Sequence, residues 1–165
     1  MKLSFVTTNK GKFLTMHKDL APYGIEVIQK PLDIPEPRSN DVQEIADHKA
    51  RVAFQSLKEP VIVMDAGFYI DSLNGFPRAF VNFTLETIGI AGILKLVADQ
   101  DSHCEFRECL AYFDGQPPKP KFFIGHVRGT LAPEPRGTLH AGHWSDLALI
   151  FIPESRDKTL AEMTV

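Results

Sequence analysis

The apolar and polar positions of this 165-residue chain switch repeatedly between a continuous or twofold pattern and a helical one. Leu3 to Val6 is a short apolar run that predicts a buried strand. Thr7, Thr8, Asn9 and Gly11 then make a polar turn, and Phe13, Leu14, His17 and Leu20 recur at helical spacing up to Pro22 and Gly24. Ile25, Val27 and Ile28 predict a second strand. The run Pro31-Leu32-Asp33-Ile34-Pro35-Glu36-Pro37-Arg38 must be extended, because proline lacks a donor and restricts the residue before it. Asp41-Val42-Gln43-Glu44 has the form of a helix start, with Asp41 as N-cap and Glu44 reaching back. Val42, Ile45, Ala46, Ala50, Ala53 and Leu57 define one face of that helix. Val61-Ile62-Val63-Met64 predicts a strand buried on both faces, delivering Asp65-Ala66-Gly67 at its C-terminal end.

The second half continues the alternation. Asn74-Gly75 and Pro77 mark a turn, followed by the aromatic-rich Phe80-Val81-Asn82-Phe83. A helix is predicted from about Thr84 to Ala98 on Leu85, Ile88, Gly92 and Leu96. Strands follow at Glu105–Phe113 and Lys121–Leu131, separated by the loop Asp114-Gly115-Gln116-Pro117-Pro118. A loop from Pro133 to Gly142 leads to a final strand, Leu147 to Ile152, and Lys158 to Met163 has only a short helical possibility. Strands alternating with helices predict an α/β fold, and there is no internal repeat.

Composition narrows the class. The length suits one domain with a core that needs no staples, and 44% hydrophobic with 24% charged residues is ordinary for a soluble protein. A net charge of −3 argues against a nucleic-acid partner or a membrane surface, while leaving room for a local basic pocket. No apolar run reaches membrane-spanning length, and the start lacks a secretion core, so a cytoplasmic location is expected. Cys104 and Cys109 are too few for a disulfide framework and read as reduced, small apolar residues beside a strand.

Four features carry candidate chemistry. The strand–turn–helix at Thr7 to Lys12 puts backbone N–H groups and the positive end of a helix dipole at one turn, which suits an anion, and Lys10 and Lys12 add charge. It is not a Walker loop, and taken alone an ordinary β–α connection with solvated lysines explains it better. Lys49 falls inside the apolar arc of its helix, where it either snorkels out at the edge or points its ammonium into a cleft. Asp33 and Glu36 are rigidly presented, and Asp65 ends a buried strand, where an unpaired carboxylate is costly. His140 and His143 with Asp146 have donor types that suit zinc, but two loop histidines are more simply polar loop residues.

In this order the pieces resemble the inosine triphosphate pyrophosphatase family. Thr7-Thr8-Asn9-Lys10-Gly11-Lys12 is similar to its opening Thr-x-Asn-x-x-Lys loop, and Asp33-Ile34-Pro35-Glu36 to its Asp-Leu-Pro-Glu. Glu44-Ile45 with Lys49, Val63-Met64-Asp65-Ala66-Gly67-Phe68, Leu73-Asn74-Gly75-Phe76-Pro77, Phe123-Ile124-Gly125 with Gly129, Pro135-Arg136-Gly137 and Lys158 to Met163 continue the series. The resemblance implies an elongated mixed α/β fold with two lobes around a nucleotide cleft. It implies magnesium-dependent hydrolysis of non-standard purine nucleoside triphosphates to monophosphate and pyrophosphate, in a homodimer. Thr7, Asn9, Lys12 and Lys49 would then line the triphosphate, Glu36 and Asp65 would hold magnesium and orient the attacking water, and Trp144 and Asp146 would lie in the base-recognition stretch. Lys12, Glu36 and Asp65 would be the catalytic group.

The departures fall mostly in the base half. Met64 stands where the family carries an acid, Ala66 replaces a hydroxyl residue, and Asn82 replaces a basic one. Ala141-Gly142-His143-Trp144-Ser145-Asp146 is respaced, and the sequence stops at Val165 before the family's Ser-His-Arg segment. A divergent or C-terminally short member with weakened base discrimination is expected. The alternatives are a nucleotide-binding protein without turnover and a purely structural module.

Overall fold

A computed structural model describes residues 1–116 and 118–163; Pro117 of the predicted loop and the end at Val165 lie outside the described residues. The elements are β1 (Lys2–Val6), α1 (Lys10–Leu20), β2 (Glu26–Lys30), α2 (Val42–Leu57), β3 (Val61–Ile70), β4 (Pro77–Arg78), α3 (Val81–Thr87), α4 (Gly89–Leu96), β5 (His103–Phe113), β6 (Lys121–Leu131) and β7 (Phe151–Pro153). Seven strands pair in the order β2-β1-β3-β5-β6-β7, with β4 on β3. β1 runs parallel to β2 and β3, whereas β4 and β7 are antiparallel to β3 and β6, so the sheet is mixed and the fold is α/β.

The chain divides into two compact units, the first Met1–Asp65 with Glu108–Ile124, the second Ala66–Arg107 with the chain from Gly125 onward. In the first, Leu3, Phe5, Val27 and Ile62 meet Met16, Phe13 and Leu20 of α1, together with Met64, Leu110 and Tyr112. Strand side chains alternate between faces, so Val61, Val63 and Asp65 point away from that cluster. α2 contributes Ile45, Ala46, Ala50 and Ala53, all nearly inaccessible, and Phe54 packs edge-on against Phe113 at 5.1 Å. Asp41 caps α2 by accepting from Gln43 N, but Glu44 does not reach back as predicted; it accepts from Ser39 Oγ at 2.7 Å. Ser39 already supports the cap by accepting from Asp41 N, which draws Glu44 outward.

In the second unit Phe68, Ile70, Ile93, Val97, Cys104, Leu131, Leu147, Ile150 and Phe151 form the core. Phe106 stacks between Phe68 and Phe151 with centroids 4.7 and 4.8 Å away. The predicted helix over 84–98 is two helices, because Gly89 takes φ +63° and turns the chain between them. The predicted strand over 147–152 is mostly a 3-10 turn, Asp146–Leu149, and only Phe151–Pro153 pairs with β6. The short helical end is a 3-10 turn, Leu160–Glu162, closed by a capping box on Thr159. Cys104 and Cys109 are free and buried in β5. No helix of the described residues is long and apolar enough to cross a membrane.

Candidate active site

The turn after β1 is held by its own side chains. Thr7 N donates to Lys30 O at 3.1 Å, Thr7 Oγ1 accepts from Asn9 N at 3.1 Å, and Asn9 Oδ1 accepts from Lys12 N at 2.9 Å as the N-cap of α1. Gln29 of β2 locks the same turn from behind, donating from Nε2 to Thr7 O at 3.0 Å. The result is a rigid turn on the positive end of an 11-residue helix. Lys12, one turn in, is half-buried and donates from Nζ to Met64 O of β3 at 3.3 Å.

Asp65 is buried, at 7% exposure, and it stands mid-strand. The predicted strand end is therefore corrected: β3 runs on to Ile70. The charge does not break the strand because α2 brings Lys49 to it. Lys49 Nζ lies 2.8 Å from Asp65 Oδ2 and 2.5 Å from Glu36 Oε1, so one ammonium is shared by two carboxylates. Of the two readings of Lys49, the inward one holds. Glu36 reaches this point from the extended segment, which is pinned by the buried side chain of Ile34. The 2.8 Å contact makes Lys49 the hydrogen-bonding partner of the buried Asp65 Oδ2.

The charges respond to this setting. Burial pushes the Lys12 ammonium below its ordinary pKa, with Asp65 acting against that and Lys49 with it. Burial also opposes the charge on Lys49, but Asp65 and Glu36 overcome it and hold Lys49 above the usual value. Asp65 is raised, since burial outweighs the attraction of Lys49 and Lys12. Such a carboxylate takes a proton more readily than an ordinary one.

Thr7, Asn9, Lys12, Glu36, Lys49 and Asp65 all belong to the first unit. Trp144 and Asp146 belong to the second, where Trp144 is half-buried and Asp146 is exposed at the start of a 3-10 turn. Nearby, His143 Nδ1 accepts from His140 N, so its Nε2 carries the proton and donates to Leu160 O at 3.2 Å. Both ring nitrogens of His143 are thus occupied, and zinc at His140, His143 and Asp146 has no support; among the described residues no three His, Cys, Asp or Glu side chains form a metal cluster. Sequence reading missed Gln29 and Glu108. Glu108, half-buried on β5, faces the charge of Lys12. It shares a strand face with the core residues Leu110 and Tyr112.

Two carboxylates converging on one cation fit magnesium, which takes one or two protein carboxylates and completes its shell with phosphate oxygens and water. An anion-receptive turn, two ammonium groups and this carboxylate pair have the chemistry to receive a metal-bound polyphosphate. A model of the Ham1 family matches residues 3–165, and the chain belongs to that family. The dITP/XTP pyrophosphatase of Methanopyrus kandleri is 42% identical over 100% of this chain and 86% of its own, and that of Thermococcus kodakarensis is 38% identical over 99% and 86%. A HAM1 protein from Coxiella burnetii superposes with a TM-score of 0.82 at 25% identity, covering 99% of this chain and 87% of that one. The Staphylococcus aureus Ham1 protein gives 0.78 at 23% identity, with 99% and 87% covered, and supports the fold alone. The resemblance read from the ordered motifs is thereby borne out.

Proposed function

We propose that this protein hydrolyses non-standard purine nucleoside triphosphates, of the dITP and XTP kind acted on by its relatives, to nucleoside monophosphate and pyrophosphate, with magnesium as cofactor. The observation that carries the reading is the Lys49 ammonium shared by Glu36 and Asp65, in the same compact unit as Lys12 and the Thr7–Asn9 turn. The turn and the start of α1 receive phosphate oxygens through N–H groups and the helix dipole. Lys12 and Lys49 add charge-assisted contacts that do not depend on the base. Glu36 and Asp65 would hold magnesium, which would supply positive charge to the phosphates and acidity to water. Asp65 orients the attacking water and takes its proton as the water oxygen bonds to the α-phosphorus. The bond from that phosphorus to the bridging oxygen breaks, and pyrophosphate leaves with the electron pair. The resemblance proposes Trp144 and Asp146 as the residues of base recognition.

The setting is the cytoplasm and the assembly a homodimer through the exposed rings of Phe76, Phe80 and Phe83, which are 40%, 47% and 66% accessible. A monomeric mass by light scattering at high concentration rejects that assembly. A second reading, nucleotide binding without turnover, rests on Met64 standing where the resembled family carries an acid. Pyrophosphate release over inosine, xanthosine, adenosine and guanosine triphosphates with magnesium decides between them. Stoichiometric pyrophosphate and monophosphate are expected, and Glu36→Gln and Asp65→Asn should each lower turnover by about 100-fold or more, the scale of losing a group that acts on the transition state. Release of orthophosphate, or near-normal turnover in either variant, overturns the mechanism.

A further inference from the structure

We propose that Glu108 is a positioning residue of the phosphate end of this site, acting from β5 to keep the Lys12 ammonium aimed at the substrate; the inference rests on the pyrophosphatase reading above. Leu110 and Tyr112 pack in the cluster that includes Phe13, Met16 and Met64, so Glu108, two positions earlier on β5, lies on the same face, the one covered by α1. The intervening Cys109, Ala111 and Phe113 are buried on the other face, with Phe113 against Phe54 of α2. β5 is the neighbour of β3 in the sheet, and Lys12 reaches across to the Met64 carbonyl of β3. Lys12 thus has a backbone carbonyl on one strand and, on the next, a carboxylate whose charge acts on it. Burial holds the Glu108 carboxyl above its ordinary range, and the charge acting against that is Lys12. Glu108 is in turn one of the charges that keep Lys12 protonated.

Packing does not explain this carboxylate, because a half-buried acid on an apolar face costs stability. An anion beside a phosphate site would also repel its ligand if it did nothing else. Those two facts give the role a sign. If Glu108 were a bystander, removing its charge should tighten anion binding; if it holds Lys12, removing it should weaken binding. Met64 shares the face and sits on the adjacent strand, so a carboxylate introduced there can take over the same task.

The test compares wild-type protein, Glu108→Gln and the double variant Glu108→Gln with Met64→Glu. Calorimetric titration with inorganic tripolyphosphate in metal-free buffer and steady-state pyrophosphate release with magnesium are the two readouts. Glu108→Gln should bind tripolyphosphate about threefold or more weakly and lose about tenfold in kcat/KM, mostly in kcat, less than the loss of a direct transition-state donor. Its melting temperature should equal or exceed that of wild type, and the double variant should recover most of both losses. Unchanged or tighter tripolyphosphate binding, or unchanged kcat/KM, overturns the inference while leaving the pyrophosphatase reading intact. A wild-type protein that releases no pyrophosphate takes down both. Should Glu108→Gln not fold, Glu108→Asp replaces it, with smaller losses of the same sign expected and no loss overturning the role.

Discussion

Replacing Lys49 by methionine keeps the apolar stem and removes the ammonium that Glu36 and Asp65 share. Glu36 is half in solvent, with 51% of its side chain accessible, and should register little of the loss. Asp65 is 7% exposed and has no comparable refuge. Two limits bracket the cost. If Asp65 stays ionised it is an uncompensated buried charge, worth about 3–5 kcal/mol. If it takes a proton, the fold must supply one to a carboxyl of ordinary pKa near 4 at pH 7, a cost of about 4 kcal/mol. Lys12 softens either limit, since its charge also acts on Asp65 and its own repulsion from Lys49 is gone. The expected destabilisation at pH 7 is therefore about 2–4 kcal/mol.

The pH dependence follows from the sign of the perturbation. A buried acid raised above its unfolded pKa binds a proton that the unfolded chain does not, so stability falls as pH rises through the unfolded value near 4. Near pH 4 the proton is almost free, and the penalty of Lys49→Met should shrink below about 1 kcal/mol. Asp65→Asn removes the more buried charge and leaves Lys49 its Glu36 partner, so it should cost less than Lys49→Met at pH 7. Urea unfolding of wild type and both variants at pH 7 and pH 4.5, in metal-free buffer with constant slope, measures the differences. A Lys49→Met penalty equal at the two pH values, or an Asp65→Asn loss as large as that of Lys49→Met at pH 7, refutes the assignment of Asp65 as a charge held in place by Lys49.

Three further outcomes are expected in the second unit and in β5. Gly129→Ala should cost about 2 kcal/mol or more in thermal unfolding, because its Cβ would stand 2.1 Å from Ile152 O and 2.8 Å from the Phe151 ring. Glu105 is opposed by its own burial, but Arg107 at 2.5 Å and His126 at 3.4 Å hold it below the usual carboxylate range. Glu105→Gln should therefore lose about 1 kcal/mol at pH 7, and the gap from wild type should close as pH falls through the depressed native pKa. Burial pushes the Cys104 thiol up to about 12 and Cys109 to about 11, so neither should react with a thiol reagent at pH 8 until denaturant is added.

Periodicity made the fold legible where each element has one buried face. α2 shows this, with Val42, Ile45, Ala46, Ala50 and Ala53 buried in the predicted arc. It failed where a single residue decides the backbone or a distant partner cancels a cost. Gly89 splits one helical pattern into two because its φ is positive, a fact its identity permits but does not announce. Asp65 and Gly67 looked like the end of β3, since a charge and a glycine both punctuate strands. The strand continues because Lys49 arrives from 16 positions earlier, and Gly67 fits because a Cβ there would meet Arg78 O of β4 at 2.9 Å.

The candidate site shows the same division between anomaly and explanation. Lys49 on an apolar arc and Asp65 on a buried strand were visible as misplaced charges, since period alone says where a charge should not be. Their pairing was not visible, because an ion pair is a statement about distance across the fold, and the Lys12–Met64 contact spans 52 positions. Glu108 escaped notice for the opposite reason. In Glu105-Phe106-Arg107-Glu108 three charges in four residues read as a solvated segment, and the membership of Glu108 in the Leu110 and Tyr112 row emerges only once that row is known to meet α1. A charge on the wrong face thus predicts that a counterion exists. The chain crossings that form the sheet decide which residue it is, and in this protein those crossings place Lys12, Lys49 and three carboxylates within one unit.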